Sequence, residues 1–165
     1  VMHEHTLERY KELLPRFIEA TNKWLRERYS FVRIENFKSF SIGNFKIIPI
    51  QLYHQIPTTG YIIRHHGKSI AYLVDSGVNM PEESIEFIRK YNDLIILDVT
   101  WAEKEHDYHM DINDAVEFTR DINPKLAFAT HIGHKNLPHN KLDKLLRQKT
   151  NDVLRAAVDG MILSL

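Results

Sequence analysis

Leu126-Ala127-Phe128-Ala129-Thr130-His131-Ile132-Gly133-His134 reads as an apolar strand that stops at a turn carrying two histidines. A buried strand holds its backbone still, and the loop at its C-terminal end presents the chemistry. The same pattern recurs at three other places. Phe45-Lys46-Ile47-Ile48-Pro49-Ile50-Gln51-Leu52-Tyr53 runs into His54. Ile70-Ala71-Tyr72-Leu73-Val74 ends in Asp75-Ser76-Gly77. Leu94-Ile95-Ile96-Leu97 ends in Asp98-Val99-Thr100, with His106 and His109 beyond it. Four strand ends that carry His or Asp predict one polar site along one rim of a sheet.

Around these stretches the chain divides into two styles. Short strands over 31–34, 37–42 and 45–53 and a turn at His65-His66-Gly67-Lys68 predict hairpins. Pro49 cannot donate to a ladder, so it predicts an edge or a bulge. From Pro81 onward strands alternate with helices. Pro81 opens one helix, with Glu82 and Glu83 in the favourable first turn. Asp111 or Asn113 opens the next, and a third covers 140–148. Val158 to Leu165 reads as a closing strand broken at Asp159-Gly160. Before all of this, Thr6 is a helix N-cap, and Leu7, Tyr10, Leu13 and Leu14 recur at helical spacing. The expected class is therefore α/β, layered α+β, in one domain over 1–165, with 1–28 helical.

The chain has 165 residues, 43% of them hydrophobic, which suits one packed core. Lys plus Arg number 22 and Asp plus Glu number 22, so the global charge makes no case for a nucleic-acid partner. Lys135, Lys141, Lys144, Arg147 and Lys149 read as a solvated helix face. No apolar run approaches the roughly 20 residues of a membrane span. The polar start, Val1-Met2-His3-Glu4-His5, does not read as a signal peptide, and a cytoplasmic protein is expected. Cysteine is absent and histidine occurs ten times, so a metal would rest on His, Asp, Glu or water.

His54, Asp75 and His131 each stand at or just past a strand end. Imidazole and carboxylate are the ligands of Zn²⁺ and similar ions where thiolate is missing, and a carboxylate can bridge two ions. The alternative is three unrelated loop residues, each satisfied locally. His109 lies two residues before Asp111, a spacing that suits an acid/base group oriented by a carboxylate. Asp111 also suits a helix cap. His134 is a second acid/base candidate. His65, His66, His106 and His139 read as solvated loop residues.

In order, His54, Thr59-Gly60-Tyr61-Ile62-Ile63, Leu73-Val74-Asp75-Ser76-Gly77, Leu97-Asp98-Val99-Thr100, His109-Met110-Asp111 and Thr130-His131-Ile132-Gly133-His134 resemble the second half of a metallo-β-lactamase-fold hydrolase. The pattern is most similar to the phosphodiesterase branch, with its phosphonate-pathway cyclic phosphodiesterase and, more distantly, the tRNA 3′-end endonuclease. The resemblance covers 29–165 and implies the C-terminal part of an αββα sandwich. It implies His54 and His131 as terminal metal ligands and Asp75 as the bridge. His109, with His134, would serve catalysis, and Asp98 and Asp111 would support the ligands from behind. The implied cofactor is Zn²⁺ or Mn²⁺, two ions per complete site.

The family's His-x-His-x-Asp-His is absent from this sequence; His3-Glu4-His5-Thr6-Leu7-Glu8 lacks its Asp and final His. Two expectations follow. One is a metal-dependent phosphodiesterase acting on a small phosphodiester, with its dinuclear site completed by residues outside this chain and little or no metal held by the chain alone. The other is a non-catalytic domain that acts through association. Both expect an apolar sheet face that pairs with a second copy or with the complementary half, aggregates, or is covered in part by the first helix through Leu13, Phe17 and Trp24.

Overall fold

The structure, a computed structural model, describes the backbone of Met2–His3 and residues 33–165. The helix expected over 6–28 lies outside the described residues. β1 (Met2–His3) pairs in parallel with β2 (Arg33–Ile34). Among the described residues the other strands form one sheet in simple sequence order: β3 (Phe40–Ile42), β4 (Phe45–Gln51), β5 (Thr59–His65), β6 (Lys68–Leu73), β7 (Leu94–Asp98), β8 (Leu126–Thr130) and β9 (Leu154–Ala156).

β3 to β6 form an antiparallel meander, and β6 to β9 are parallel. Parallel neighbours need a crossover. Three helices supply it: α1 (Glu82–Lys90), α2 (Ile112–Ile122) and α3 (His139–Thr150). β4 and β6 are both antiparallel to β5, so β4 runs in the direction of the parallel strands. The C-terminal ends of β4, β6, β7 and β8 therefore share one rim, as the strand-end pattern predicts.

Residues on one face of a sheet recur with period two. The register row Ile48, Ile62, Ala71, Ile95, Ala127 and Leu154 is buried throughout. It packs with Ile88 of α1, Ala115, Val116 and Phe118 of α2, and Leu142 and Leu146 of α3 in one core cluster. The neighbouring row, Pro49, Tyr61, Tyr72, Ile96, Phe128 and Arg155, lies on the opposite face. Phe128 there is buried, whereas Tyr72 is 43% exposed. Pro49 sits beyond the last β3 pair, Phe40–Ile47. β4 is not an edge strand, but on that side the β3 ladder has already ended; Phe37 donates its N–H to the Pro49 carbonyl at 2.7 Å and no N–H from Pro49 is called for.

The chain end departs from expectation. The final strand is Leu154–Ala156, held to β8, and 157–165 contains none. Val158 to Met161 instead makes a turn through Gly160 at φ 77°, and Ile162 is 92% exposed. The run has strand composition, but a strand forms only where a partner supplies the ladder. His139, expected in a loop, is the first residue of α3, and its Nε2 lies 2.8 Å from the Ala157 carbonyl. His65 ends β5 at the rim away from the candidate site, stacked on Phe45. The basic face of α3 is in part self-neutralised, with Arg147 paired to Asp143 and Asp152. Among the described residues no helix is long and apolar enough to cross a membrane.

Candidate metal centre

The shared rim brings five side chains together. His54 follows β4, Asp75 follows β6, Asp98 ends β7, His109 rides on the loop to α2, and His131 follows β8. Asp75 Oδ1 is their meeting point. It lies 3.4 Å from His54 Nε2, 3.8 Å from His109 Nδ1 and 3.9 Å from His131 Nε2. One ligand atom from each of Asp75, Asp98, His109 and His131 falls within 4.8 Å of the other three. The site opens on one side: the Asp75 and His131 side chains are 46% and 43% exposed, whereas Asp98 is fully buried.

Backbone geometry aims these groups. Asp75 (φ 69°) and His131 (φ 54°) both occupy the left-handed region. Non-glycine residues there cost of order 1–3 kcal/mol and cluster at functional sites. Each bend ends its strand abruptly and turns the side chain back over the rim.

The buried Asp98 carboxylate is surrounded by donors. It accepts the N–H of Thr100 at 2.9 Å and of Ser76 at 3.2 Å, and the Thr100 hydroxyl stands at 2.6 Å. His109 Nδ1 lies 2.7 Å from its other face, so this ring nitrogen donates. The rings of His109 and His131 stack at 5.3 Å, and His54 meets His109 edge-on at 5.0 Å. Around them the loop between β7 and α2 adds Trp101, His106 and Tyr108, with His106 stacked on Tyr108 at 5.2 Å. His106, read from sequence as solvated, is exposed but belongs to this aromatic wall.

Two expectations are corrected. Asp111 does not orient His109. Its carboxylate accepts the Asp114 N–H at 2.7 Å in a capping box that starts α2, and Asp98 orients His109 instead. His134 does not join the cluster. His134, a second acid/base candidate in the sequence, is exposed, and no hydrogen bond, ion pair or ring contact among the described residues joins it to the cluster. Conversely, the sequence reading gave no role to Ser76 or Thr100, which stand in the quoted Asp75-Ser76-Gly77 and Asp98-Val99-Thr100 stretches. The signal available was a hydroxyl residue beside each acid at a strand end.

The donor set suits a divalent cation. Asp75, Asp98, His109 and His131 converge, with His54 against Asp75 alone, and among the described residues no Lys or Arg pairs with either carboxylate. Such a group without a protein cation has the composition of a Zn²⁺ or Mn²⁺ site.

An α/β sheet with a His/Asp cluster at one rim defines a class, and the comparisons with known proteins place the chain in it. The family model described as the beta-lactamase superfamily domain matches residues 2–132. The chain belongs to that superfamily and has its metallo-β-lactamase fold. Among solved structures it is similar to a diphosphatase of the PhnP family, at 24% identity and TM-score 0.72 over 92% of this chain. It is also similar to Zn²⁺-bound PqqB from Methylobacterium extorquens, at 18% identity and TM-score 0.67 over 81% of this chain. Human tRNase Z, short form, is similar at 20% identity and TM-score 0.57 over 76% of this chain. The matches span 55%, 55% and 45% of those three chains, respectively. No curated protein sequence matches this one.

Proposed function

We propose that this chain carries the metal-binding rim of a metal-dependent hydrolase whose substrate is a small phosphodiester. The observation behind the reading is the convergence of three imidazoles on Asp75 Oδ1 beside the buried Asp98. In this reading His54, Asp75 and His131 hold the metal, Zn²⁺ or Mn²⁺. Bound there, the ion would supply a hydroxide at neutral pH and polarise the phosphoryl oxygens. The chain's own work is positional. Asp98 holds His109 Nδ1–H; with the ring protonated, Nε2–H would donate to a phosphoryl oxygen or pass its proton to the leaving oxygen, and with the ring neutral Nε2 would accept one. Trp101 and Tyr108 wall the site and limit water on that side.

The phosphodiester is favoured by the family likeness to a PhnP-family diphosphatase and tRNase Z, whose names carry phosphate-ester chemistry. The chain spans about half the length of those structures. A dinuclear site would need a second ion and ligands beyond these five groups, and a complementary polypeptide, if one supplies them, would meet the chain through the sheet face of Tyr61, Tyr72 and Ile96. An association of that kind, without catalysis by this chain alone, is the second reading; the absence of His-x-His-x-Asp-His supports it.

The test is hydrolysis of bis(p-nitrophenyl) phosphate with Mn²⁺ or Zn²⁺, with and without chelator, for the chain and for Asp75→Ala. Metal-dependent turnover lost in Asp75→Ala is the expected result. Turnover that ignores the chelator or survives Asp75→Ala would defeat the reading. Ion binding at Asp75 without turnover would leave only the associative one.

A further inference from the structure

We infer that Thr100 is a positioning residue that passes the charge of Asp98 on to His131, so that one buried carboxylate sets the ring orientation and tautomer of two site histidines. The inference rests on the metal-centre reading above, but its geometry stands on hydrogen positions that can be measured without a metal.

The Thr100 hydroxyl has one proton and three neighbours: Asp98 Oδ1 at 2.6 Å, His131 Nδ1 at 2.8 Å and the His131 carbonyl oxygen at 3.1 Å. A carboxylate accepts only. Its oxygen at 2.6 Å without an intervening proton would be repulsive, so the hydroxyl proton goes to Asp98. Thr100 Oγ1 can then only accept from His131, and Nδ1 must carry the proton. The second neighbour of that nitrogen agrees, since Asp98 Oδ2 lies 3.4 Å from His131 Nδ1. With Nδ1 protonated in the neutral ring, the lone pair is on Nε2, the nitrogen 3.9 Å from Asp75 Oδ1.

His109 receives the same treatment directly, through Asp98 Oδ2 at 2.7 Å. Asp98 thus divides its two oxygens. Oδ2 serves His109 directly; Oδ1 serves His131 through the threonine. The threonine is itself held. Its N–H bonds to Asp98 Oδ1, and its carbonyl accepts the Gly133 N–H at 3.1 Å. A Cβ on Gly133 would sit 2.7 Å from that carbonyl, so the turn carrying His131 is closed onto Thr100. Groups that fix the far nitrogen of a ligating imidazole are commonly worth 10–100-fold in metal affinity.

The experiment is nitrogen-15 histidine NMR of the metal-free chain, at a pH where the rings are neutral, on wild type, Thr100→Val and Thr100→Ser. Valine keeps the shape and removes the hydroxyl; serine keeps the hydroxyl. Wild type and Thr100→Ser should show His131 protonated at Nδ1, and Thr100→Val should move it toward the Nε2–H form. Zinc affinity should fall about 10–100-fold in Thr100→Val and recover in Thr100→Ser. If Thr100→Val does not fold, Thr100→Ala with Thr100→Ser carries the comparison. An unchanged His131 tautomer without the hydroxyl, or a wild-type ring protonated at Nε2, would overturn the proposal. A chain with the expected tautomers but no metal-dependent turnover would defeat the hydrolase reading and leave this one standing.

Discussion

A Cβ built on Gly77 would lie 1.8 Å from the carbonyl oxygen of Asp107. Gly77 also donates its N–H to the Tyr53 carbonyl at 2.9 Å. The turn after Asp75 is therefore gripped between the segment that carries His54 and the loop that carries His109. No side chain fits there, although the backbone conformation itself would accept one. Gly77→Ala is expected to keep the helices and sheet while pushing the Asp107–His109 backbone off the rim. Ion affinity should drop about tenfold or more, in line with losses on disturbing the groups behind metal ligands. Circular dichroism beside a zinc titration checks this; a folded variant with wild-type affinity would show that His109 is placed by other means.

The two sheet faces should respond differently to truncation. Ile95 is fully buried against the helices, and a large-to-small change at such a site costs about 2–5 kcal/mol. Tyr72, on the opposite face, is 43% exposed, and Tyr72→Ala should cost the isolated chain about 0.5 kcal/mol or less. If that face meets a second copy or a complementary polypeptide, Tyr72→Ala should instead weaken association. Urea unfolding and sedimentation of both variants separate the effects. Equal destabilisation by the two changes, with no change in association, would mean that the Tyr72 face is already closed.

The rim was legible because strand ends are. An apolar run with a polar stop needs no partner information, so His54, Asp75, Asp98 and His131 stood out at once. The parallel half was legible for the same reason: Leu94–Leu97 is continuously apolar, as a central strand of a parallel sheet is, with Leu94, Ile95 and Leu97 buried and Ile96 half-buried on the opposite face. What sequence could not supply was contact between segments far apart. Asp111 is two residues from His109, yet the carboxylate that orients that ring is Asp98, eleven residues back, because the β7–α2 loop folds over the strand end. His134 is three residues from His131 but faces solvent, since the left-handed bend at His131 reverses the chain. The closing strand was misplaced because Met161–Leu165 has the apolar composition of a strand and Leu154–Ala156 has only three residues to announce one.

Asp93 should make stability sensitive to acid. Its carboxylate accepts the Ser69 N–H at 3.0 Å and hydroxyl at 2.7 Å, and pairs with Lys125, tying the starts of β6, β7 and β8. The Lys125 contact first, and the Ser69 hydroxyl second, lower its pKa in the folded chain. A lowered folded pKa stabilises above the unfolded value, about 3.9, and that contribution is lost as pH falls through the folded value. Asp93→Asn should therefore be less stable than wild type at neutral pH, and the gap should close in acid. Urea midpoints at neutral pH and at about pH 3 measure it. A gap that stays constant would assign the loss to packing at Ser69 rather than to charge.

Ion binding by the chain should be single, modest and centred on Asp75. The Nε2 atoms of His54 and His131 lie within 3.9 Å of its Oδ1, while His109 Nδ1 is committed to Asp98, which already takes four donors and has little capacity left for a cation. All five groups come from one rim, and the exposed sides of Asp75 and His131 leave the coordination sphere open to water. An open sphere holds its ion less firmly than a closed one, so a dissociation constant in the micromolar range or weaker is expected, about 8 kcal/mol of binding or less. Asp75→Ala should abolish measurable binding, because it removes the atom on which the rings converge. His54→Ala and His131→Ala should each weaken it. His134→Ala should leave it unchanged, since that ring stays in solvent. Calorimetric titration with Zn²⁺ and with Mn²⁺ reads stoichiometry and affinity together. Two tight ions per chain would mean that these five groups, with residues outside the described region, already form a complete dinuclear site. Binding that survives Asp75→Ala but fails in His134→Ala would move the centre to the turn beyond β8.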